Sequence, residues 1–244
     1  MEAIKLVSGM SAVLLGLFSS AASAEIVRYN FTAHGTSVTY NSAGQSIPPS
    51  EFPSPIPSTQ LPVTATISGS FFYDTSAVPS SSYTSPGGYS SATYQGVSVA
   101  GVQLSSSAGF AYQNNVTSGW NVPTFYVSND LPTASWSHDY MDLTTTQIDS
   151  AHNSIVVDFE FFDKNKANTL TSTQLPASLS LADYDVKLSI FFAPPTGQYF
   201  FYYGAFDTLT LAPAVPEPAT YGMLLAGLGL IGAAKRRKLR RAAA

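Results

Sequence analysis

The sequence contains no cysteine among its 244 residues. This absence excludes disulfide bonds, metal–thiolate sites and a cysteine nucleophile at once. Charged residues are also scarce, at 11% of the chain, whereas hydrophobic residues make up 45%. A chain of this length can bury a sizeable core. Its stability must therefore come from hydrophobic packing, without covalent or metal crosslinks.

Basic residues are nearly missing from the middle of the chain. Between Glu25 and Ala214, four basic residues stand against thirteen acidic ones, so 4 minus 13 gives a formal charge of −9. Binding to nucleic acid depends on clustered lysine and arginine at the phosphates. The composition of residues 25–214 therefore excludes a nucleic-acid partner. The four basic residues are Arg28, Lys164, Lys166 and Lys187.

Residues suited to catalysis are few and scattered. The sequence has three histidines and lacks the Gly-x-Ser-x-Gly pattern of a serine nucleophile. His138 lies near Asp139 and Asp142, but the neighbouring proline and aromatic residues favour a solvated loop. We predict a domain that is not an enzyme and has no catalytic residues.

One acidic pair invites a comparison with glycoside hydrolysis. Asp158 and Glu160 are two residues apart, so on a strand they share one face at a separation of about 7 Å. Paired carboxylates at such distances can hydrolyse glycosidic bonds. The opposite face of the same strand is apolar. This pattern favours the ordinary solvent face of a half-exposed sheet.

A second acidic segment has the opening spacing of a calcium loop. Asp163 and Asn165 occupy its first two ligand positions, but the loop glycine and the final glutamate are missing. A turn rich in Asp and Asn is the default interpretation of the segment. We predict no cofactor and no metal site, and calcium binding remains an open alternative.

Alternation with a period of two runs through the central part of the chain. In the segment Val63–Asp74, apolar residues alternate with hydroxyl-bearing ones, and Ile155–Phe162 follows the same rule. Loops rich in Pro, Ser and Gly separate such segments, and no amphipathic helix is evident. The pattern predicts an all-β fold, a single antiparallel β-sandwich or jelly-roll-like domain over residues 25–214. A change of phase at Gly101 predicts a β-bulge.

The first 24 residues have the organisation of a signal peptide. A short leading region carries Lys5, an apolar core follows, and small residues occupy the two positions that define a cleavage site. These are Ala22 and Ala24, so signal peptidase would cut before Glu25. The pattern predicts that residues 25 onward are exported.

The C-terminal 30 residues contain three consecutive signals. Pro216, Glu217 and Pro218 form a short segment that proline keeps extended. The uncharged run Tyr221–Ala234 follows and predicts a transmembrane helix, although it is shorter than the roughly 20 residues of a typical span. Basic residues after it predict a cytoplasmic stop-transfer flank and hence a transient anchor in the inner membrane. They are Lys235, Arg236, Arg237, Lys238, Arg240 and Arg241.

In this order and position, residues 215–241 resemble the PEP-CTERM sorting signal of exported bacterial proteins. The resemblance implies recognition by exosortase, a membrane protease-transpeptidase, and removal of the tail. It also implies release from, or attachment to, the surface of a Gram-negative cell that makes extracellular polysaccharide. The resemblance says nothing of what the exported domain does there.

Two functions remain for the exported domain. One is a structural or adhesive role at the cell surface or in the extracellular, biofilm-type matrix. The other is carbohydrate binding through exposed aromatic side chains, or, less favoured, a glycan-active enzyme. The aromatic candidates are Trp120, Trp136 and the run Tyr199–Tyr203, because flat rings can stack on sugars. Such runs more often form cross-strand pairs, which favours the first function.

Overall fold

The structure is a computed structural model that describes residues 26–42, 45–46, 61–86, 88–119, 121–129, 139–149, 152–164, 169–193, 198–213 and 227–228. The chain divides into two compact units, Met1–Leu211 and Ala212–Ala244. The second unit is described at residues 212–213 and at Gly227 and Leu228, which are helical.

The first unit contains twelve β-strands, and none of its described residues is α-helical. The strands are β1 Ile26–Ser42, β2 Gln45–Ser46, β3 Thr66–Asp74, β4 Ser81–Thr84, β5 Ser90–Gln95, β6 Ala100–Ser106, β7 Ala111–Gln113, β8 Thr124–Asn129, β9 Tyr140–Ile148, β10 Ser154–Asp163, β11 Tyr184–Ala193 and β12 Gln198–Leu211.

All twelve strands belong to one antiparallel sheet. Eleven follow each other in the order β4-β5-β8-β9-β10-β11-β12-β1-β3-β6-β7, and the short β2 pairs with β1. The prediction of an all-β antiparallel fold is confirmed. A sandwich or jelly roll consists of two packed sheets, whereas the described strands form one curled sheet. This finer arrangement therefore stays a prediction.

Strict alternation along the strands builds the core. On β10, Ile155, Val157, Phe159 and Phe161 are buried, whereas the residues between them are half-buried. The sheet curls so that its two halves meet through aromatic rings. The ring of Phe159 lies 5.4 Å from that of Phe71 on β3. Each fully buried phenylalanine stabilises the fold by roughly 1.5–3 kcal/mol. Burial of this kind stabilises a chain that has no cysteine for disulfide bonds.

The connection between β10 and β11 covers one part of this core. Its backbone is held by three buried tyrosines that reach out from the sheet. The Tyr73 hydroxyl donates to the Pro176 carbonyl at 2.8 Å, and the Tyr29 hydroxyl accepts from the Leu179 amide at 2.6 Å. Burial raises the pKa of the Tyr73 phenol well above its usual range. The Tyr94 hydroxyl donates to the Thr173 carbonyl at 2.8 Å.

The predicted β-bulge at Gly101 is wrong. Strand β6 pairs with β3 in unbroken register from Ala100 to Ser106. The apparent change of phase arises because Val97 and Val99 lie in a turn that precedes the strand. The register shifts of the sheet lie elsewhere, between β1 and β12, at Thr32/Ala33 and Gly35/Ser37.

Gly69 on β3 is a position where only glycine fits. A Cβ atom there would lie 2.3 Å from the Gln103 carbonyl oxygen and 2.8 Å from the Leu104 Cα on the adjacent strand. Both atoms belong to backbone that is held by the β3–β6 ladder. We expect Gly69→Ala to destabilise the protein by about 1–3 kcal/mol, because the two strands must separate to admit the methyl group.

Denaturant unfolding of both proteins measures this loss. The neighbouring Ser68→Ala is the control, since Ser68 is exposed and its substitution changes no backbone packing. Equal midpoints for Gly69→Ala and wild type would contradict the close approach of β3 and β6.

Candidate functional site

Most of the residues predicted to carry sorting or binding lie outside the described part of the chain. The structure therefore neither supports nor opposes the interpretation of these residues. They are the signal-cleavage residues Ala22, Ala24 and Glu25, the motif Pro216, Glu217 and Pro218, the basic residues Lys235, Arg236, Arg237, Lys238, Arg240 and Arg241, the aromatic residues Trp120 and Trp136, and also His138 and Asn165.

Of the predicted transmembrane segment, only Gly227 and Leu228 are described. Across the described residues, no helix has both the length and the apolar character that a membrane crossing needs. The transmembrane helix stays a prediction.

The two described histidines lie at the surface. The His34 Nδ1 atom is 2.6 Å from the Asp207 carboxylate, between β1 and β12. His152 is exposed in the turn before β10, with a φ of 62°. The two residues belong to separate parts of the sheet and do not combine into one site.

An acidic cluster occupies the outer face of β9 and β10. Glu160 lies directly opposite Asp142 in the ladder, and Asp158 lies opposite Thr144. The Tyr140 hydroxyl donates to Glu160 at 3.3 Å, and the Thr144 hydroxyl donates to Asp142 at 3.0 Å. The shared face of Asp158 and Glu160 is confirmed, but both side chains are half-buried. Their neighbour Asp142 was not part of the predicted pair.

The Asp158 carboxyl lies among other acidic groups in this cluster. Burial raises the pKa of its carboxyl to about 9, and the hydrogen bond with Asp142 and the negative charges of Asp142 and Glu160 act in the same direction. One of its oxygens, Oδ1, is buried and has no hydrogen-bond partner among the described residues. Its surroundings therefore favour the protonated form of the Asp158 carboxyl. No set of three or more metal-ligating side chains occurs within the described ranges.

Asp163 at the end of β10 has a structural role, because its side chain accepts a hydrogen bond from the backbone at the start of β9. Its Oδ1 accepts a hydrogen bond from the Asp139 amide at 3.2 Å. Asp139 is itself buried, and its Oδ2 accepts from the Leu170 amide at 2.6 Å. The two carboxylates thus tie the start of β9 to the end of β10 and to the connection that follows. The alternative of a calcium loop at Asp163 and Asn165 remains a prediction, because Asn165 is not described.

The aromatic run Tyr199–Tyr203 divides between the two faces of β12. Phe200 and Tyr202 are buried in the core, whereas Tyr199, Phe201 and Tyr203 point outward. Phe191 of β11 joins the outward residues, with its ring 4.7 Å from that of Phe201. The Phe201 and Tyr203 rings are 6.1 Å apart and almost parallel. We call Phe191, Tyr199, Phe201 and Tyr203 the aromatic ridge.

A groove lies on the other half of the sheet, over β3, β6 and β7. Its volume is about 460 Å³, and amide and hydroxyl side chains dominate its lining. We call it the amide groove. Its side chains come from separate strands that the sequence does not show to be neighbours. The lining residues are Asn30, Ser68, Gly69, Ser70, Gln103, Leu104, Ser105, Ala111, Tyr112, Gln113 and Gln147.

A smaller cavity of about 220 Å³ continues from the amide groove and shares Ser70, Gln103 and Gln113 with it. Arg28 belongs to this smaller cavity, and its guanidinium lies 5.1 Å from the centre of the Phe72 ring. The amide groove itself is lined by no charged residue.

The raised pKa of the Asp158 carboxyl predicts that the free energy of unfolding depends on pH. The pKa in the folded state, about 9, exceeds the unfolded value of about 3.9. The folded protein therefore binds more protons between these two pH values, and the free energy of unfolding falls as the pH rises through this window. Asp158→Asn removes the cost of binding a proton to this carboxyl on folding, and it keeps a hydrogen-bond donor. We expect it to be more stable than wild type at pH 8, by at least about 1 kcal/mol, since one pKa unit corresponds to ~1.4 kcal/mol.

Urea unfolding at pH 5 and pH 8 measures this difference, which should be larger at pH 8. Asp183→Asn, at an exposed position just before β11, controls for the loss of a surface charge. If the difference in free energy of unfolding between Asp158→Asn and wild type is the same at pH 5 and pH 8, Asp158 is ionised in the folded protein and the prediction is wrong.

Comparison with known proteins adds information at the C-terminus. A family model described as the PEP-CTERM protein-sorting motif matches residues 214–241. No curated protein and no solved structure matches the chain significantly. The match begins three residues after β12 ends at Leu211, so it leaves the β-sheet unit unassigned. The chain carries a PEP-CTERM protein-sorting motif, the signal for export to the cell envelope or surface and for processing by an exosortase.

Proposed function

We propose that the chain is an exported bacterial surface or extracellular-matrix protein whose β domain has a structural or adhesive role without catalysis. The observation that carries the proposal is the sorting motif at residues 214–241, which directly follows the last strand of the sheet. A protein sorted to the cell surface acts there through its folded domain, and this domain is a β-sheet unit that ends at Leu211.

The proposed route has three steps. Residues 1–24 direct the chain across the inner membrane, and signal peptidase removes them. The apolar run Tyr221–Ala234 and the basic residues behind it hold the precursor in the membrane as a transient anchor. Exosortase then recognises the Pro216-Glu217-Pro218 motif and removes the tail. Glu217 is the one charge in this motif, so we assign it the specific contact with the enzyme.

The β domain suits a structural role in its chemistry. It lacks cysteine, so thiol chemistry cannot alter it outside the cell. Its two halves are held by aromatic packing, for example between Phe71 and Phe159 at 5.4 Å. The three tyrosines that anchor the β10–β11 connection reduce the exposure of the core edge. Such a domain can persist at the cell surface without a ligand or metal.

The aromatic ridge favours a second candidate function, carbohydrate binding. Tyr199 and Tyr203 are 39% and 38% exposed, and they flank Phe201 on one face of β12. Exposed rings on a sheet face can pack against the apolar faces of sugar rings while the tyrosine hydroxyls bond to water or ligand. The polysaccharide outside the cell would be the partner.

Glu217→Ala tests the sorting step. We expect the wild-type protein recovered from its host to begin at Glu25 and to lack everything from about Pro218 onward. The variant should retain the chain through Ala244 and remain in the membrane fraction, because it lacks the charge that exosortase would recognise. Intact mass spectrometry of the membrane and extracellular fractions distinguishes the two species.

Glu51→Ala is a matched control, since it removes an acidic residue far from the motif in sequence, and its processing should equal that of wild type. Processing of Glu217→Ala at the wild-type rate would remove Glu217 from the recognition step. A wild-type protein that keeps its tail would overturn exosortase processing altogether.

A further inference from the structure

The amide groove owes its depth to a row of short side chains. In the ladder, Ser68 of β3 lies opposite Ser105 of β6, and Ser105 lies opposite Ala111 of β7. A trough thus crosses the three strands where side chains are shortest.

A row of amides borders this trough. Asn30 lies opposite Ser70, Ser70 lies opposite Gln103, and Gln103 lies opposite Gln113. Gln147 of β9 reaches the same groove, where its side-chain Oε1 accepts a hydrogen bond from the backbone N–H of Gln113 at 3.1 Å. Amide side chains from four strands therefore converge on one surface.

These amides are available for a ligand. The side chains of Asn30, Gln103 and Gln113 are exposed and make no hydrogen bond with other residues that the structure describes. A carboxamide both donates and accepts hydrogen bonds, and a serine hydroxyl does the same. Such a lining suits a ligand with many groups that also both donate and accept hydrogen bonds. Sugar hydroxyls are groups of this kind.

Charge decides which class of sugar polymer fits. No charged residue lines the groove, and Arg28 of the adjoining cavity already lies over Phe72. The surrounding domain carries 4 basic and 13 acidic residues, a formal charge of −9. A polymer of uronic acids would meet repulsion without a compensating cation, whereas a neutral polymer would not.

We propose that the amide groove binds a neutral polysaccharide, laid across β3, β6 and β7. This inference rests on the second candidate function, carbohydrate binding, and gives it a site and a ligand class. A short oligosaccharide should bind weakly, with a Kd on the order of 0.1–1 mM, because an open polar groove gains little from desolvation. A surface array of such domains would then hold a polymer by multivalency.

Titration calorimetry with the full chain tests the proposal, in a detergent without a sugar headgroup. The probes are cello-oligosaccharides and dextran fragments, which are neutral, and oligogalacturonate, which is acidic. We expect saturable binding of at least one neutral probe and at least tenfold weaker binding of oligogalacturonate. The double variant Gln103→Ala/Gln113→Ala should lose at least tenfold in affinity for the neutral probe.

A matched control is Gln95→Ala/Gln174→Ala, which removes two exposed amides outside the groove and should bind as wild type does. Ser105→Leu provides a second test, because a branched aliphatic side chain at this exposed position would fill the trough without offering a ring face to a sugar, and it should abolish binding. Thermal unfolding midpoints close to that of wild type show that the variants are folded.

The outcomes separate the groove from the general function. If Tyr199→Ala/Tyr203→Ala loses binding while the groove variants keep it, carbohydrate binding stands and the groove inference is overturned. If no neutral probe binds the wild type, both fail. Oligogalacturonate binding as tight as that of the neutral probe would overturn the assignment of ligand class.

Discussion

The whole sheet depends on β1, because this strand joins its two halves. Strand β1 pairs with β12 from Tyr29 to Ser42 on one edge, and with β3 from Ile26 to His34 on the other. The first and last strands of the domain are thus neighbours, and the pairing cannot form until the chain has been made through Leu211. Long-range pairing of this kind folds slowly.

Gly35 shows how tightly β1 is constrained. A Cβ atom at this position would lie 2.3 Å from the Val63 carbonyl oxygen and 2.8 Å from the Tyr202 hydroxyl. Register shifts between β1 and β12 lie on both sides of it, at Thr32/Ala33 and Gly35/Ser37. Such irregularities bend a strand and increase its twist. The bend of the sheet, and with it the meeting of its halves in the core, depends on this short stretch.

The sequence predicts those features that depend on neighbours along the chain. Alternation identified the buried faces of β3 and β10, because a period of two is a local property of a strand. The same rule failed at Gly101, since it cannot tell the turn residues Val97 and Val99 from strand residues. It also placed Asp158 and Glu160 on one face, but Asp142 joins them only through the register of β9 with β10.

The candidate binding surfaces were harder to predict for the same reason. The aromatic run at 199–203 was visible, yet its division into buried and exposed residues required the position of β12 in the sheet. The amide groove could not be foreseen at all. Its row of amides joins Asn30 to Gln113 across four strands, and polar residues at such distances in the sequence give no sign that they are neighbours.

The described cations show what kind of surface the domain presents to its surroundings. Lys164 donates to the Leu181 carbonyl at 2.6 Å and lies 3.4 Å from Asp185. Lys187 lies 4.6 Å from the centre of the Phe162 ring, and Arg28 covers Phe72 in the same way. All three thus contact other groups of the domain, and because residues 25–214 carry 13 acidic and only 4 basic residues, the acidic groups dominate its field. Beyond a Debye length of about 8 Å this field is screened at physiological salt, but at contact distance it repels both polyanions and other copies of the domain. Among the described residues, the amide groove and the aromatic ridge are two neutral surfaces, and both suit a partner without charge.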